Sequence, residues 1–506
     1  MRYPKFPNST HGEAITCAVF LFLLCAPYLL VVPSEGYAAI AAWKYGMFLA
    51  LYIGFILLIA EQRLVSGPGC SGRRGKPDAF DLCILAYFLF TCVSGILSKY
   101  PGVFFGSARH DGILTIGLYA ASTLLLTRRL RPRRWMLWVF GGAVTLFCLL
   151  GMVQLTGANP FRLYPRGYNF YDAGQYYMGQ YWGTVGNVNL CAALLSAAAG
   201  AFAAAGVRAE RRADWFCLIP LALSVFSIVE LNSEAGMAAL LAGLLLMPPF
   251  VVAEGTDVRN LLLTYGLVLL TLAASSAIVF YDGGAAVAWR RMTSLLCFGA
   301  GALFLVGALL GRTAALRHVS PAALRKALAG AAAAAAVLGL FTLYAWDGWP
   351  DGFLLQAHAL LQGNWDDSYG SNRLYIWRQV WALVREAPLL GGGPDTLGFR
   401  GLTGFSRFNE ATGTVVSGSI DAAHNEYLNI LVNQGALALG AYGSALCVSL
   451  FRWWKGTGSR ARTVAGAAAL FYLAQAFFGM SSCITAPYLW MALAIINNKN
   501  EGNEKE

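Results

Sequence analysis

The feature that most limits how this chain can fold is a series of apolar segments that recurs along its whole length. Each segment is long enough, or nearly long enough, to cross about 30 Å of hydrocarbon as an α-helix. Charged residues are scarce inside the segments and collect between them. The pattern predicts membrane-spanning helices at fourteen positions: 14–32, 40–60, 80–98, 112–127, 135–156, 188–206, 214–231, 235–253, 260–280, 292–311, 324–346, 424–450, 463–478 and 483–496.

Composition supports the same fold class. Hydrophobic residues make up 57% of the chain and charged residues 12%, with a mean hydropathy of +0.55. Soluble domains carry roughly twice that charged fraction. We therefore expect an all-α integral membrane protein, a polytopic helical bundle of about 12 to 14 transmembrane helices.

The positions of Lys and Arg predict the orientation of the bundle, because short cytoplasmic loops are enriched in both residues. With the N-terminus placed inside, roughly two thirds of the 37 Lys and Arg residues fall in the inner segments. The C-terminus then also lies in the cytoplasm. The formal net charge of +11 is explained by this topology, so we expect no nucleic-acid partner.

This topology divides the chain into four parts. Residues 1–346 hold about eleven spans, and residues 347–423 form a large extracytoplasmic loop. Residues 424–496 hold about three further spans, and residues 497–506 form a cytoplasmic tail. Most of the polar material outside the membrane is therefore expected late in the chain, on one face of the bundle.

Two shorter outer loops add to this polar face. The first, "KYPGVFFGSARHDG" at 99–112, is compact and rich in glycine. The second, 157–187, holds six tyrosines and a tryptophan beside two arginines. Aromatic rings and arginines suit stacking on sugars and pairing with phosphate, but an aromatic belt at the membrane interface explains the composition equally well.

The large loop contains a helix signal of its own. In "SNRLYIWRQVWALVRE", apolar residues recur at helical spacing and the arginines lie off that stripe. This pattern predicts an amphipathic helix lying at the membrane surface, whose arginines could also hold a ligand. The predicted stripe consists of Leu374, Trp377, Trp381 and Val384, and the arginines are Arg373, Arg378 and Arg385.

The sequence contains no recognisable motif for several classes of ligand. It has no GxxxxGK[ST] loop, and no GxGxxG follows a strand pattern, so a cytoplasmic nucleotide is not expected. The cysteines suggest neither a disulfide nor a metal site. In the outer loops, Asp366 and Asp367 come nearest to an acidic pair that could bind a divalent metal. Their position in an exposed turn explains these two residues equally well. We expect no metal ion and no cofactor.

The chain resembles one family of membrane enzymes. His424-Asn425, nine residues and then Gly435 match the H-[NSQ]-x9-G signature of the O-antigen ligase and Wzy-type polymerase superfamily, which also includes O-linked oligosaccharyltransferases. "GSARHDGILT" near 106–115, "GTVGNVNL" at 183–190, "RLYIWRQVW" at 373–381 and the following "GGGPDTLGF" occur in the corresponding order. The resemblance covers most of the chain.

The resemblance implies a GT-C-like glycosyltransferase of the bacterial inner membrane. Such enzymes move a glycan from a polyprenyl diphosphate carrier to a glycan, lipid or protein acceptor on the outer face. By this similarity, Arg373 is expected to grip the diphosphate and His424 to receive the proton of the acceptor hydroxyl. Asn425, Arg109, Arg166 and Arg378 are expected to contribute to substrate binding.

Two positions depart from the family pattern. The later glycine of the signature is Ala438 here, a change between small residues. A serine-arginine pair that family members often carry at the outer start of a middle span is matched by "NSEAGMAALL", which places Glu234 at the arginine position. The anion-binding role of that arginine is then either lost or taken over by Arg109, Arg166 or Arg290.

The position of His424 suits a general base. Asp421 or Ser419 is expected to cap the following helix, which places His424 in its first turn. There the helix dipole and nearby arginines disfavour the imidazolium, while Asp421 and Glu426 favour it. A neutral histidine can accept a proton near pH 7, although a histidine that merely caps a helix would occupy the same position.

A function of another class also remains open. A transporter or flippase for polysaccharide or lipid carrier would have a comparable number of helices. Transporters commonly show internal repeats, broken helices and ionisable residues at mid-membrane, and the sequence shows no clear repeat and few charges inside the spans. Within the enzyme class, the motifs do not distinguish a polymerase from a ligase or a protein O-glycosyltransferase.

Overall fold

The computed structural model describes most of the chain: residues 8–31, 37–66, 76–107, 109–156, 158–163, 183–231, 233–277, 284–310, 318–349, 352–409, 414–456 and 459–500. The helices within these ranges are α1 Asn8–Leu29, α2 Tyr37–Ser66, α3 Ala79–Ile96, α4 Ile113–Arg129, α5 Arg134–Leu155, α6 Val188–Val207, α7 Leu218–Glu230, α8 Glu234–Leu246, α9 Pro248–Val251, α10 Gly255–Ala277, α11 Gly284–Leu310, α12 Pro321–Ala345, α13 Phe353–Leu361, α14 Tyr369–Glu386, α15 Glu426–Lys455, α16 Arg460–Ala476 and α17 Ala486–Ile496. Short 3-10 helices occupy Arg212–Cys217 and Leu397–Phe399.

The architecture is that of a polytopic helical membrane protein. Every one of the fourteen predicted segments falls on helix, and nine helices in the described residues are long and apolar enough to cross a membrane. The last segment is the clearest exception to a full crossing, because the 11 residues of α17 extend only about 16 Å as helix. An antiparallel pair of strands, β1 Phe405–Asn409 and β2 Thr414–Gly418, was not expected from the sequence.

The centre of the bundle is α6, whose most apolar window is completely buried. It packs against α7, α8, α10 and α16. Its Ala and Gly residues permit close approach, since a Cβ atom on Gly200 would lie 2.5 Å from the carbonyl oxygen of Ala467. The other Ala-rich segment behaves oppositely: α12 packs on α8, α9 and α13, and none of its most apolar window is buried.

Ion pairs collect at one end of the bundle, where α3 begins and where α4, α15 and α17 end. The buried carboxylate of Asp81 accepts from Arg128 at 2.7 Å and contacts Lys499, while Arg452 pairs with Asp78 at 3.1 Å. The distribution of Lys and Arg along the sequence predicts that these helix ends face the cytoplasm. At the opposite end, where α4 and α15 begin, the loops that carry the motifs described above lie together.

The large loop folds onto this opposite end around a small apolar core of its own. Ile376, Val380 and Val384 form the buried face of α14 and pack with residues of the segments that follow it. Of the predicted stripe, Val384 is buried in this core and Trp377 packs against it as a partly buried side chain. The prediction was wrong for Trp381, which is 47% exposed, and Leu374 is only partly buried. The partners that complete this core are Leu397, Ile420, Ala423 and Val432.

Candidate active site

A break in α15 organises the site. At Gly435 the backbone leaves the helical region, with φ 85° and ψ 175°. The amides that follow, of Ala436 and Leu437, donate to the carbonyls of Pro388 and Leu389 at 2.9 and 3.2 Å. The glycine of the His-Asn motif therefore allows a segment of the large loop to hydrogen-bond through its backbone to the interrupted helix.

The glycine run of the loop completes this contact on the other side of the break. Gly392 and Gly393 donate their amides to the carbonyls of Val432 and Asn433 at 3.2 and 2.8 Å. Arg400 donates to the Val432 carbonyl at 2.8 Å, and burial lowers the pKa of Arg400 to about 10. The carbonyls left open by the break are therefore bonded, and the part of α15 before Gly435 is tied to the loop.

Asp395, next after "GGGP", fixes the position of the first outer loop. Its buried carboxylate accepts hydrogen bonds from the backbone amides of Ser107, Arg109 and Asp111 at 2.7, 3.1 and 3.4 Å. Burial raises the pKa of Asp395, while these amides act in the opposite direction. The two motifs "GSARHDG" and "GGGPD", nearly 300 residues apart, thus form one structural unit.

This unit positions Arg109 beside the segment that leads to His424. Arg109 Nη2 lies 2.9 Å from a carboxylate oxygen of Asp421, in an ion pair whose side chains are 10% and 32% exposed. A partly buried pair of this kind is screened less by salt than a fully exposed one. The contact brings an arginine of the first outer loop to within three residues of the histidine.

His424 itself lies outside the helix. Its φ of 48° is left-handed, and the helix cap is Asn425, whose side chain accepts from the amide of Leu428 at 3.0 Å. The predictions that Asp421 or Ser419 caps α15 and that His424 lies in its first turn were therefore wrong. Asn425, a candidate substrate-binding residue, is buried with its side-chain oxygen engaged in this cap.

The surroundings keep His424 neutral. Burial, followed by the charges of Arg109 and Arg373, lowers the pKa of His424 from 6.5 to about 4, and Asp421 opposes the shift. Both arginines must therefore lie near the imidazole, since charges act strongly only over short distances. The structure thus brings together three of the residues that the sequence proposed as a site.

Arg373 owes its position to an unusual turn. Gly370, Ser371 and Asn372 all adopt left-handed backbone angles, so that the regular part of α14 begins at Arg373. Arg373 Nη1 donates to the carbonyl of Gly370 at 2.8 Å, whereas its buried Nε has no hydrogen-bond partner within the described structure. Burial lowers the pKa of Arg373, and the nearby Glu234 opposes this shift.

Trp377 is a positioning residue that the sequence did not identify. Its indole Nε1 donates to the carbonyl of Ala423 at 2.9 Å, immediately before His424. Its ring lies edge-on to Phe477, with centroids 5.9 Å apart. One turn of α14 after Arg373, Trp377 therefore couples the arginine-bearing helix to the histidine-bearing segment.

Of the remaining predicted residues, the structure describes the side chain of Arg378 alone. Arg378 is exposed, pairs with Asp367 and has its guanidinium 5.8 Å from the Tyr375 ring centroid. Arg166 lies outside the described residues. For Arg290 the structure describes the helix but not the side chain. Glu234 occupies the position at which the family pattern has an arginine. Among the arginines proposed to take over the role of that residue, Arg109 is described beside His424.

A small polar cavity lies behind the site, between α3, α4 and the start of α15. Its volume of about 20 Å³ is enough for one water molecule. Asp111 lines it, and burial raises the pKa of Asp111 to about 8. Glu426 also lines it and accepts from the hydroxyls of Tyr442 and Tyr472 at 2.8 and 3.0 Å. The sequence did not indicate this acidic pair, because its members are 315 residues apart.

The described part of the chain contains no group of three or more His, Cys, Asp or Glu side chains placed to hold a metal ion. The groups found around His424 are its neutral imidazole, the guanidinium ions of Arg109 and Arg373, and the carboxylate of Asp421 that pairs with Arg109. Such a set suits an anionic ligand bound next to a hydroxyl or water. Comparison with known proteins adds no relative, since no family model and no curated protein sequence matches the chain.

Proposed function

We propose that this protein is a membrane glycosyltransferase that moves a glycan from a polyprenyl diphosphate carrier to an acceptor hydroxyl on the outer face of the bacterial cytoplasmic membrane. The observation that carries the proposal is the convergence of Arg109 and Arg373 on a neutral His424 at one end of an apolar bundle. The order of motifs that resembles the O-antigen ligase and Wzy-type polymerase superfamily supports the same assignment.

The two arginines suit a diphosphate. Guanidinium forks bind phosphate oxygens in bidentate fashion and remain charged when half-buried. Arg373 has a buried Nε without a hydrogen-bond partner in the described structure, which is a donor available to such a ligand. Negative charge on the diphosphate increases as the glycosyl bond breaks, so fixed positive charge stabilises the transition state. In this proposal the reaction needs no cofactor.

His424 then serves the acceptor. The acceptor oxygen attacks the anomeric carbon, the bond from that carbon to the diphosphate breaks, and the hydroxyl proton passes to the imidazole. A pKa of about 4 in the ligand-free protein makes His424 a weak base. Binding of the diphosphate would offset the charges of Arg109 and Arg373 that lower this pKa, and so would raise the basicity of His424 when the donor is present.

The proposal includes the full predicted topology. The bundle is GT-C-like with about 12 to 14 spans, residues 347–423 face away from the cytoplasm, and both termini are cytoplasmic. The donor's polyprenyl chain would remain among membrane lipids while its diphosphate reaches the arginines. The product could be a longer polysaccharide, a glycosylated lipid or a glycosylated protein, and the identity of the acceptor decides between polymerase, ligase and protein O-glycosyltransferase.

A transporter is the second candidate, because broken helices such as α15 are typical of transport proteins. In those proteins the carbonyls exposed by the break bind the ion or substrate. Here the Val432 carbonyl accepts from Gly392 and Arg400, and the Asn433 carbonyl accepts from Gly393 and Ser94. The carbonyls exposed by the break are thus bonded to other parts of the protein, mainly the large loop, and not left for a transported ion or substrate. This arrangement favours an enzyme over a transporter.

Reconstitution distinguishes the two functions. Purified protein in vesicles would receive a lipid-linked oligosaccharide donor on the side of the large loop, with and without a hydroxyl-bearing acceptor. We expect released polyprenyl diphosphate and a new glycoside only when the acceptor is present, and neither with His424→Ala. Movement of labelled donor between leaflets without any new glycoside would instead establish the transporter.

A further inference from the structure

The small polar cavity between α3, α4 and the start of α15 is lined mainly by side chains that carry oxygen. Its three carboxyl groups come from separate segments: Asp111 ends the first outer loop, Asp395 follows the glycine run, and Glu426 begins α15. The described residues that line the cavity include no Lys, Arg or His. Negative charge is therefore concentrated around a space to which the proposed glycosyl transfer gives no role.

The three carboxyl groups differ in their hydrogen bonds. Glu426 accepts from the hydroxyls of Tyr442 and Tyr472, and Asp395 accepts from three backbone amides. Asp111 is only 8% exposed, and its buried Oδ1 has no hydrogen-bond partner within the described structure. Because a buried carboxyl oxygen without a partner is unfavourable, this atom indicates that the cavity accommodates a ligand.

The size of the cavity limits what that ligand can be. A volume of about 20 Å³ admits one particle the size of a water molecule. Mg²⁺ keeps several of its waters, and Ca²⁺ takes about 6 to 8 oxygen ligands, so neither suits this space. The described residues also contain no group of three acidic side chains placed to hold a metal ion. A monovalent cation without its water shell fits.

The charges around the cavity favour a cation over water. Burial raises the pKa of Asp111 to about 8, and the charges of Asp395 and Glu426 act in the same direction. Ser481 and Arg109 oppose the shift, and Arg109 is itself paired with Asp421 at 2.9 Å. A water molecule would satisfy a hydrogen bond of Asp111 without compensating these buried charges, whereas a cation would do both.

We propose that this cavity binds one sodium ion, with Asp111 and Glu426 as its charged ligands and neutral oxygens from Gln434 and Ser481. Carboxylate, amide and hydroxyl oxygens are the ligands that hard cations prefer. The sequence predicted no metal ion because these four residues are far apart in the chain. The ion joins the first outer loop, α15 and the segment before α17, and takes no part in the proposed glycosyl transfer.

Binding of radioactive sodium to the purified full-length protein tests the proposal. Equilibrium dialysis would be performed above pH 8, the pKa of Asp111, where protons compete least for the site. We expect the native protein to bind one sodium ion. Asp111→Asn should weaken binding at least about tenfold, because the number of charged ligands sets the affinity for a cation. Absence of bound sodium in the native protein would assign the cavity to a proton or a water and overturn the proposal.

Asp366→Asn is the matched control, since it removes an exposed carboxyl of the large loop that does not line the cavity. This variant should bind sodium as the native protein does. If Asp111→Asn does not accumulate, Glu426→Gln provides the same comparison. An equal loss of sodium binding in the control would mean that the ion is held by the general negative charge of the protein, and would contradict a site in the cavity.

Thermal unfolding supplies an independent measurement. A ligand that binds only the folded protein stabilises it, so the native protein and Asp366→Asn should melt at a higher temperature in sodium chloride than in choline chloride of equal concentration. Asp111→Asn should show no difference. Equal melting temperatures of the native protein in the two salts would overturn the proposal.

A chelator identifies the class of ion. Removal of divalent cations should leave the melting temperature in sodium chloride unchanged. A decrease after chelation, or displacement of bound sodium by low concentrations of Ca²⁺, would assign the cavity to a divalent ion and contradict the proposal. Neither measurement depends on glycan transfer, so failure of this site and failure of the proposed function are distinguishable.

Discussion

Gly435 and Leu389 meet at the break in α15, where a Cβ atom on Gly435 would lie 2.2 Å from the Leu389 carbonyl oxygen. Its backbone angles, φ 85° and ψ 175°, belong to a region that is essentially restricted to glycine. Both constraints have one origin, the contact between the large loop's backbone and the interrupted helix. The glycine of the His-Asn motif is thus required by the way the loop is anchored.

Gly435→Ala should therefore destabilise the protein. Strain at this backbone geometry and overlap with a backbone oxygen together should cost at least about 2 kcal/mol. The same helix offers a control, because Gly440 has no atom within 4 Å of a hypothetical Cβ. We expect a lower melting temperature in detergent for Gly435→Ala and an unchanged or slightly higher one for Gly440→Ala. Equal melting temperatures would show that the loop does not hold the break.

Arg373→Lys should impair glycosyl transfer strongly although it preserves the charge. An ammonium ion cannot reproduce the bidentate fork that fits a phosphate. We expect a loss of at least about tenfold in kcat/KM for Lys and a larger loss for Ala, with normal protein levels. Full activity of the Lys variant would indicate a general attraction to anionic headgroups instead.

Arg378→Lys is the matched control for this experiment. Arg378 lies on the same helix but is exposed and pairs with Asp367. An exposed ion pair contributes little to stability, so its replacement should leave both protein level and activity close to those of the native protein. A comparable loss at both arginines would mean that the helix acts through its surface charge.

His424→Ala should abolish transfer while the protein accumulates normally. General-base assistance contributes roughly 10²- to 10⁴-fold in rate, whereas His424 lies outside the helix and its cap is Asn425. Donor binding should persist, because Arg373 remains. His424→Gln separates two roles: activity kept with Gln and lost with Ala would make His424 a positioning residue, and Glu234, which acts on Arg373, would be the next candidate base.

The depressed pKa of His424 predicts how stability depends on pH. Between pH 6.5 and pH 4 the unfolded chain binds a proton at His424 that the folded protein excludes, so its contribution to stability falls as pH falls. The loss between pH 7 and pH 5 should be about 2 kcal/mol. The pKa of Asp111, raised to about 8, acts in the opposite direction over this range.

The difference between two proteins isolates the histidine. Unfolding would be measured at pH 7 and pH 5 for the native protein and for His424→Ala, so that the contribution of Asp111 cancels. We expect the native protein to lose more stability on acidification than the variant. An identical pH response would mean that His424 is solvated and protonates as freely as in the unfolded chain.

Labelling tests the orientation of the bundle. Thr403, in the large loop, is exposed, and Thr403→Cys should react with an impermeant thiol reagent in cells whose inner membrane is intact. Arg259→Cys, at the opposite end of the bundle, should react only after that membrane is broken. The reverse pattern would invert the topology and place the candidate site in the cytoplasm.

The sequence nominated His424, Arg373 and Arg109 through motif order, and the structure brings them together. It could not reveal Trp377, Asp395 or the pair Asp111 and Glu426, because their roles depend on partners that are distant in the chain. Asp395 is an example: it belongs to the motif "GGGPDTLGF", which the sequence gives no role, yet its carboxylate accepts hydrogen bonds from three amides of a loop nearly 300 residues earlier.

Local chemistry by itself determined the helical segments, because each apolar window must satisfy its backbone hydrogen bonds internally wherever water is absent. The two Ala-rich windows show that the sequence predicts a helix without predicting whether the helix is buried. Both form helices as predicted, yet the apolar window of α6 is completely buried and no residue in that of α12 is buried. Small side chains permit close packing without requiring it, so only the arrangement of neighbouring helices decided which one became the core. Gly435 is a similar case. The sequence shows a glycine at this position, but the contact that requires a glycine, between a distant loop and α15, exists only in the folded protein.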